Sequence, residues 1–136
     1  MDGDWLAHDS HDIFYRNPFG AVPCRAPVTL RLAVRRPDRP EAVLARLWQD
    51  GGREEDLPMY LWREDHGTLV YQADFAAPAA PGLLWYAFVL RQHGRAWHYG
   101  NNPERLGGAG RLYENDPAAW QITVHRPGAV TPDWLK

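Results

Sequence analysis

Leu83-Leu84-Trp85-Tyr86-Ala87-Phe88-Val89-Leu90-Arg91 is the stretch on which the fold turns. Alternate residues separate into two apolar sets. Leu84, Tyr86, Phe88 and Leu90 lie on one side, and Leu83, Trp85, Ala87 and Val89 on the other. A short run this rich in aromatic and branched side chains, bounded by Pro81-Gly82 and His93-Gly94, reads as a strand apolar on both faces. One face can meet a core. The other requires cover from a loop, a partner subunit, a following domain or a ligand.

The same period of two extends in both directions. Residues 68–75 place Leu69, Tyr71, Ala73 and Phe75 in register. Leu57, Met59 and Leu61 form a short strand with Tyr60 and Trp62 facing the other way. In 42–49, Val43, Ala45 and Leu47 oppose Leu44, Arg46 and Trp48. In 28–34, Val28, Leu30, Leu32 and Val34 oppose Thr29, Arg31 and Ala33. Downstream, 96–99 is a further strand, 100–110 a long Gly/Asn loop, and 120–125 a last strand with Trp120, Ile122 and Val124 on one face. Turn residues at 36–40, 50–52, 65–67 and 78–82 separate these pieces. Helical periodicity is poor throughout. The best helical candidate, 41–48, is short and flanked by strand-like neighbours. About seven short strands at this spacing make an all-β sandwich.

The 136 residues suffice for one domain with its own core. Fifteen basic and 17 acidic residues give a net charge of −2, without the basic excess of a nucleic-acid binder. The single Cys24 excludes an internal disulfide and a cysteine-based zinc cage and fits a reducing compartment. Met1 to Trp5 lack the basic and apolar regions of a signal peptide, and no apolar run approaches the roughly 20 residues that span a bilayer. A cytoplasmic location is expected, with neither membrane nor nucleic acid as partner.

The residues show no persuasive active site. His8-Asp9-Ser10-His11-Asp12 has the look of a metal or acid–base cluster, but it lacks a third ligand at usable spacing, and a structural or solvated role outweighs it. His98 fits a half-exposed strand-edge ring. Cys24, between Pro23 and Arg25 in a loop, has no third group to orient a base. Gly107-Gly108-Ala109-Gly110 reads as a flexible loop rather than a phosphate cradle, because no helix follows it. Glu54-Glu55-Asp56 reads as a solvated loop run. Trp48, Tyr60, Trp62, Trp85, Trp97 and Tyr99 could together form a platform on which the C–H face of a pyranose stacks. Each taken singly is better read as core or domain interface.

Several segments, taken in order, resemble a known family. They are His11-Asp12-Ile13-Phe14-Tyr15-Arg16-Asn17-Pro18-Phe19-Gly20-Ala21-Val22-Pro23 followed by Val28-Thr29-Leu30-Arg31-Leu32, Gly82-Leu83-Leu84-Trp85-Tyr86-Ala87-Phe88, Tyr99-Gly100-Asn101-Asn102, Trp120-Gln121-Ile122-Thr123-Val124-His125 and Thr131-Pro132-Asp133-Trp134. The series resembles the N-terminal domain of α-amylase-family enzymes, glycoside hydrolase family 13, in the neopullulanase, cyclomaltodextrinase and amylopullulanase branch. It departs at His125, where the family usually has an aromatic residue.

The resemblance implies an immunoglobulin-like antiparallel β-sandwich of about seven to eight strands, like carbohydrate-binding module family 34. It implies a sandwich over 1–125 and a linker over 126–136, leading into a catalytic (β/α)8 barrel of about 250 residues. The catalytic carboxylates of a retaining glycosidase would lie in that barrel, beyond Lys136, so no catalytic residue is assigned to this chain. The chain's own barrel is the expected partner. A homodimer is a second, because relatives in this branch often place this domain over the partner's active site. No metal or other cofactor is assigned, and calcium is left open.

The leading reading is therefore a noncatalytic domain of an α-glucan hydrolase, serving packing, oligomerisation and substrate access, with starch or maltodextrin contact. The alternatives are an autonomous glucan-binding module, with Trp62, Trp85, Trp97 and Tyr99 as stacking candidates, and a stand-alone protein-interaction sandwich. A one-residue slip of strand register would exchange the faces on which those aromatics lie.

Overall fold

The computed structural model describes residues 5–18, 20–35, 40–49, 52–92, 94–102, 107–113 and 117–126. Phe19, the turn positions 36–39 and 50–51, His93, part of the 100–110 loop and nearly all of the expected linker lie outside them. So does the Thr131-Pro132-Asp133-Trp134 motif.

Among the described residues there is no helix, and the chain forms two sheets packed face to face. The strands are β1 (Leu6–Ala7), β2 (Arg16–Asn17), β3 (Val22–Pro23), β4 (Pro27–Val34), β5 (Ala42–Gln49), β6 (Glu55–Pro58), β7 (Tyr60–Asp65), β8 (Thr68–Ala76), β9 (Gly82–Gln92), β10 (Arg95–Gly100), β11 (Arg111–Tyr113) and β12 (Trp120–His125). In the smaller sheet, β4 pairs with β8 on one edge and with β1 and β2 on the other, and β7 closes the far side of β8. In the larger sheet, the eleven-residue β9 is central. It pairs with β5 on one edge and with β10 and β12 on the other. The last strand, β12, runs parallel to β3. The architecture is an immunoglobulin-like all-β sandwich.

Periodicity decides the packing. Val28, Leu30, Leu32 and Val34 from β4 are buried against Val43, Ala45 and Leu47 from β5 and Leu84, Tyr86, Phe88 and Leu90 from β9. Trp120 stacks on Tyr86 at 5.3 Å and is 1% exposed. The 41–48 segment is strand from Ala42 onward, within β5. The β7–β8 hairpin closes on His66-Gly67, both at positive φ (47° and 80°), as a two-residue type I′ turn requires.

Two expectations need correction. The segment from Leu57 to Leu61 is two strands rather than one. β6 pairs with β5 in the larger sheet and β7 with β8 in the smaller, so the chain changes sheets between them. Met59 makes the crossing, its side chain buried and its N–H donating to the Val43 carbonyl at 2.8 Å. The inward set of Leu57, Met59 and Leu61 keeps its period of two through the crossing, which is why the sequence reads as one strand. Glu55 and Asp56 are also not in a loop. They lie in β6, where Asp56 stands opposite Arg46 and accepts from its Nε at 2.8 Å and its Nη2 at 3.2 Å.

The Gly107–Gly110 motif is a clasp. Ser10 N–H donates to the Gly108 carbonyl at 3.1 Å, Gly108 N–H donates to Ser10 Oγ at 2.7 Å, and Trp120 Nε1–H donates to the same Gly108 carbonyl at 3.1 Å. Gly107 and Gly108 sit at φ of 79° and 85° with the His11 ring against them. The glycines thus tie the N-terminal segment to the larger sheet. Among the described residues no helix is long and apolar enough to cross a membrane.

Candidate functional site

The four aromatic residues singled out from the sequence do not come together. Trp97 and Tyr99 point from β10 into the core, at 9% and 3% exposure. Trp97 meets Trp5 edge-on at 6.0 Å, and Tyr99 packs 6.0 Å from Trp120. Both are corrected from ligand-stacking candidates to core residues, because burial leaves neither ring a free face. Trp85 is half-buried on the outer face of the larger sheet, opposite Trp48 on β5. Trp62 is exposed on the outer face of the smaller sheet, on the opposite side of the sandwich.

Around Trp62 the smaller sheet builds a polar and aromatic surface. Tyr60, 49% exposed, stands on β7 opposite Gln72 of β8. Between Leu61 and Arg63 the register shifts, leaving Trp62 without a cross-strand partner. This bulge turns the consecutive side chains of Trp62 and Arg63 to the same outer face. The Arg31 guanidinium lies 4.0 Å from the Trp62 ring centroid and that of Arg63 4.7 Å from it. Arg31 also lies over Phe14 at 5.0 Å, donates from Nε to Gln72 Oε1 at 2.8 Å, and donates from Nη1 to the Phe14 carbonyl at 3.2 Å.

Asp74 is the hub. Tyr60 Oη–H donates to its Oδ2 at 2.5 Å, Thr29 Oγ1–H to its Oδ1 at 2.7 Å, and Gln72 Nε2–H to both oxygens at 3.1 and 3.0 Å. These bonds, that of Tyr60 foremost, hold the Asp74 carboxyl below the usual carboxylate range, and Asp74 in turn raises the Tyr60 phenol. The surface therefore offers fixed donors and acceptors beside an open phenol ring. Trp62 has less free ring area than Tyr60, because two guanidinium groups lie over its indole. Tyr60 belongs to the six-residue aromatic platform read from the sequence but not to the four stacking candidates. Its bonds to Gln72 and Asp74 become visible only once β7 is paired with β8.

The outer face of the larger sheet is different in kind. Ala87 and Val89 are buried at 1% and 2% even though they point away from the core, and Leu44, Trp48, Leu83 and Trp85 are half-buried around them. A cleft of about 330 Å3 there is bordered by Arg46, Trp48, Glu54, His98 and Pro117. His98 is half-buried inside this sheet, with β10 paired to both β9 and β11, so it is not at an edge.

His8 is a polar inclusion in the core. It is 1% exposed and ringed by Tyr15, Tyr86, Phe88 and Trp120 at centroid distances of 5.8, 5.5, 4.8 and 4.7 Å. Its Nδ1 lies 2.7 Å from the Arg31 carbonyl and its Nε2 2.9 Å from Tyr86 Oη. A carbonyl only accepts, so Nδ1 carries the proton and Nε2 accepts from Tyr86. Asp9 and Asp12 cap their own turn through His11 N–H and Phe14 N–H, each at 2.9 Å. No group of three His, Cys, Asp or Glu among the described residues could hold a metal. Cys24 is a buried free thiol.

No protein-family model matches the chain. It is similar to the amylopullulanase of Thermoanaerobacter thermohydrosulfuricus, 33% identical over 135 residues that make up 98% of this chain and 9% of that protein. It is 34% identical over 135 residues to the amylopullulanase of Thermoanaerobacterium thermosulfurigenes, covering 98% of this chain and 7% of that protein. The amylopullulanase of Thermoanaerobacterium saccharolyticum is 33% identical, with 98% and 10% covered. Among solved structures, a cyclomaltodextrinase superimposes with a TM-score of 0.65 at 16% identity, over 97% of this chain and 21% of that one, a likeness of fold. The chain spans a tenth or less of the amylopullulanases it matches, so the correspondence is to a domain-sized segment of them. The chain thus corresponds in sequence to a domain-sized segment of amylopullulanases, and it folds as an immunoglobulin-like β-sandwich.

Proposed function

We propose that this chain is a noncatalytic, N-terminal domain of an α-glucan hydrolase and that it contacts α-glucan through the outer face of its smaller sheet. The observation that carries the contact is the pairing of exposed Tyr60 and Trp62 with the Asp74–Gln72–Thr29–Arg31 network on one face. A pyranose has an apolar C–H face and a rim of hydroxyls that donate and accept. The Tyr60 ring meets the first requirement, and the carboxylate, hydroxyl and guanidinium beside it meet the second. Opposed charges within the network leave the site suited to a neutral ligand. The sandwich is assigned to 1–125, with 126–136 as the link to a catalytic part.

Packing and oligomerisation are assigned to the other face. Trp48 and Trp85, directly opposite each other in register, form an apolar centre rimmed by Arg46, Glu54 and His98, the anatomy of a protein-docking patch. Its occupant is the catalytic part or a second copy of the chain.

The test is calorimetric titration with maltoheptaose. Tyr60→Ala and Trp62→Ala are each expected to weaken binding about tenfold with the unfolding midpoint unchanged, and Trp85→Ala to leave it intact. Absence of saturable binding by the unsubstituted chain at millimolar sugar refutes the glucan contact.

A further inference from the structure

The face that holds Tyr60 does not end there. A second, shallow cleft of about 340 Å3 lies at the end of β4 and β8, lined by Arg25, Pro27, Thr29, Asp74, Phe75 and Ala76. It shares Thr29 and Asp74 with the Tyr60 network. Its floor is apolar, with Pro27 and Ala76 exposed and Phe75 half-buried, and exposed Arg25 stands at its rim. Arg25 is held there by an uncommon backbone. Its φ is 63°, and its N–H is shared between the carbonyls of Ala77 at 3.1 Å and Pro78 at 3.3 Å. A non-glycine residue in the left-handed region costs conformational energy and persists where the surroundings enforce it, often beside a binding surface.

Register puts the Tyr60 network and this cleft on one line. Tyr60 stands opposite Gln72, Thr29 opposite Asp74 and Pro27 opposite Ala76. The outward positions Val70, Gln72, Asp74 and Ala76 therefore step from the Trp62 bulge to Arg25, a distance of about 20 Å at about 3.3 Å per residue. One sugar ring stacked on Tyr60 would use only part of that length.

We infer that this face is a linear track for several consecutive units of an α-glucan chain, running along β4 and β8 from Trp62 past Asp74 to Arg25, with the Arg25 guanidinium as the far hydrogen-bond donor. The inference rests on the glucan-contact reading above and adds a chain-length requirement to it. An aromatic end orients the first ring, the shared carboxylate and hydroxyl hold the middle of the chain, and the Pro27–Ala76 floor with Arg25 receives the units beyond.

The test is calorimetric titration of the whole chain with maltose, maltotriose and maltoheptaose. Affinity is expected to rise from maltotriose to maltoheptaose. Arg25→Gly removes the guanidinium while glycine accepts the positive φ without cost. It is expected to lower maltoheptaose affinity about tenfold and to leave maltotriose affinity unchanged. Ala76→Gln, which fills the cleft at an exposed strand end, is expected to do the same by an independent route. Equal affinity for maltotriose and maltoheptaose overturns the track, as does wild-type maltoheptaose affinity in both variants. If Tyr60→Ala loses binding while both of these variants keep it, the contact at Tyr60 stands and the track falls. If the unsubstituted chain binds none of the three sugars, both readings fall.

Discussion

Lowering the pH from 7.5 to 5.0 should cost this domain about 2 kcal/mol of stability through His8 alone. Burial among aromatic rings, reinforced by the nearby Arg16 guanidinium and only partly offset by the bond to the Arg31 carbonyl, lowers the His8 pKa to about 3. In the unfolded chain His8 titrates near 6.5. The folded pKa is the depressed one, so the unfolded state takes up the proton first as pH falls. Stability is full above about 6.5, declines by about 1.4 kcal/mol for each further unit of acidification, and levels off only near the folded value. At pH 5 the loss depends almost entirely on the unfolded pKa, provided the folded one lies well below 5. Against the roughly 5–15 kcal/mol of a typical domain, this is a large share. The assay is urea unfolding at both pH values for the parent chain and for His8→Gln, which cannot titrate. Other histidines contribute equally to both proteins, so the difference between the two pH effects isolates His8. A difference near 2 kcal/mol supports a neutral His8 bonded between Arg31 and Tyr86. Equal pH effects in parent and variant would refute the reasoning and imply a site that accommodates the imidazolium.

Four further outcomes follow from contacts elsewhere. Gly100→Ala would place a Cβ 2.1 Å from the Ala118 carbonyl oxygen and 2.6 Å from Pro117 Cβ, and is expected to cost about 3 kcal/mol in urea unfolding. Gly67→Asn, with open space at φ 80°, should cost under about 1 kcal/mol by the same measurement. Trp120→Phe removes the indole donor to Gly108 and shrinks the ring stacked on Tyr86, and should lower stability by about 2 kcal/mol in thermal or urea melts. Tyr60→Phe deletes the main bond that holds the Asp74 carboxyl low, so NMR titration should show its midpoint rise toward the ordinary carboxylate value with little change in stability.

Much of the fold was legible in the alternation of residue types. The alternate apolar sets read in 28–34, 42–49 and 68–75 are those that join the core from β4, β5 and β8, apart from half-buried Phe75 at the end of β8; one of the two apolar sets of 83–91 does so from β9, and 120–125 is β12 itself. Short strands were not legible. β1, β2 and β3 have two residues each, too few to display a period, and they exist because a neighbouring strand offers them partners. The sheet change at Met59 was hidden because a continuous inward set is compatible with pairing to either sheet.

The site was less legible than the fold, and the aromatics show why. Alternation divides the residues of a strand between two faces without saying which face looks inward, and Trp97 and Tyr99 share the face that does. On β9 both faces are apolar, so Trp85 had no polar counterpart to mark it as outward. His8 and His11 looked alike in the sequence, yet one is sealed in an aromatic box and the other rests on the glycine clasp at the surface. Local composition is sufficient for strand propensity, turn position and the apolar period, since these are interactions between near neighbours in the chain. The Tyr60–Asp74–Thr29 network joins residues up to 45 positions apart, and His8 to Tyr86 spans 78. Only the pairing of β7 with β8, of β8 with β4, and the packing of one sheet on the other bring such groups within hydrogen-bonding distance.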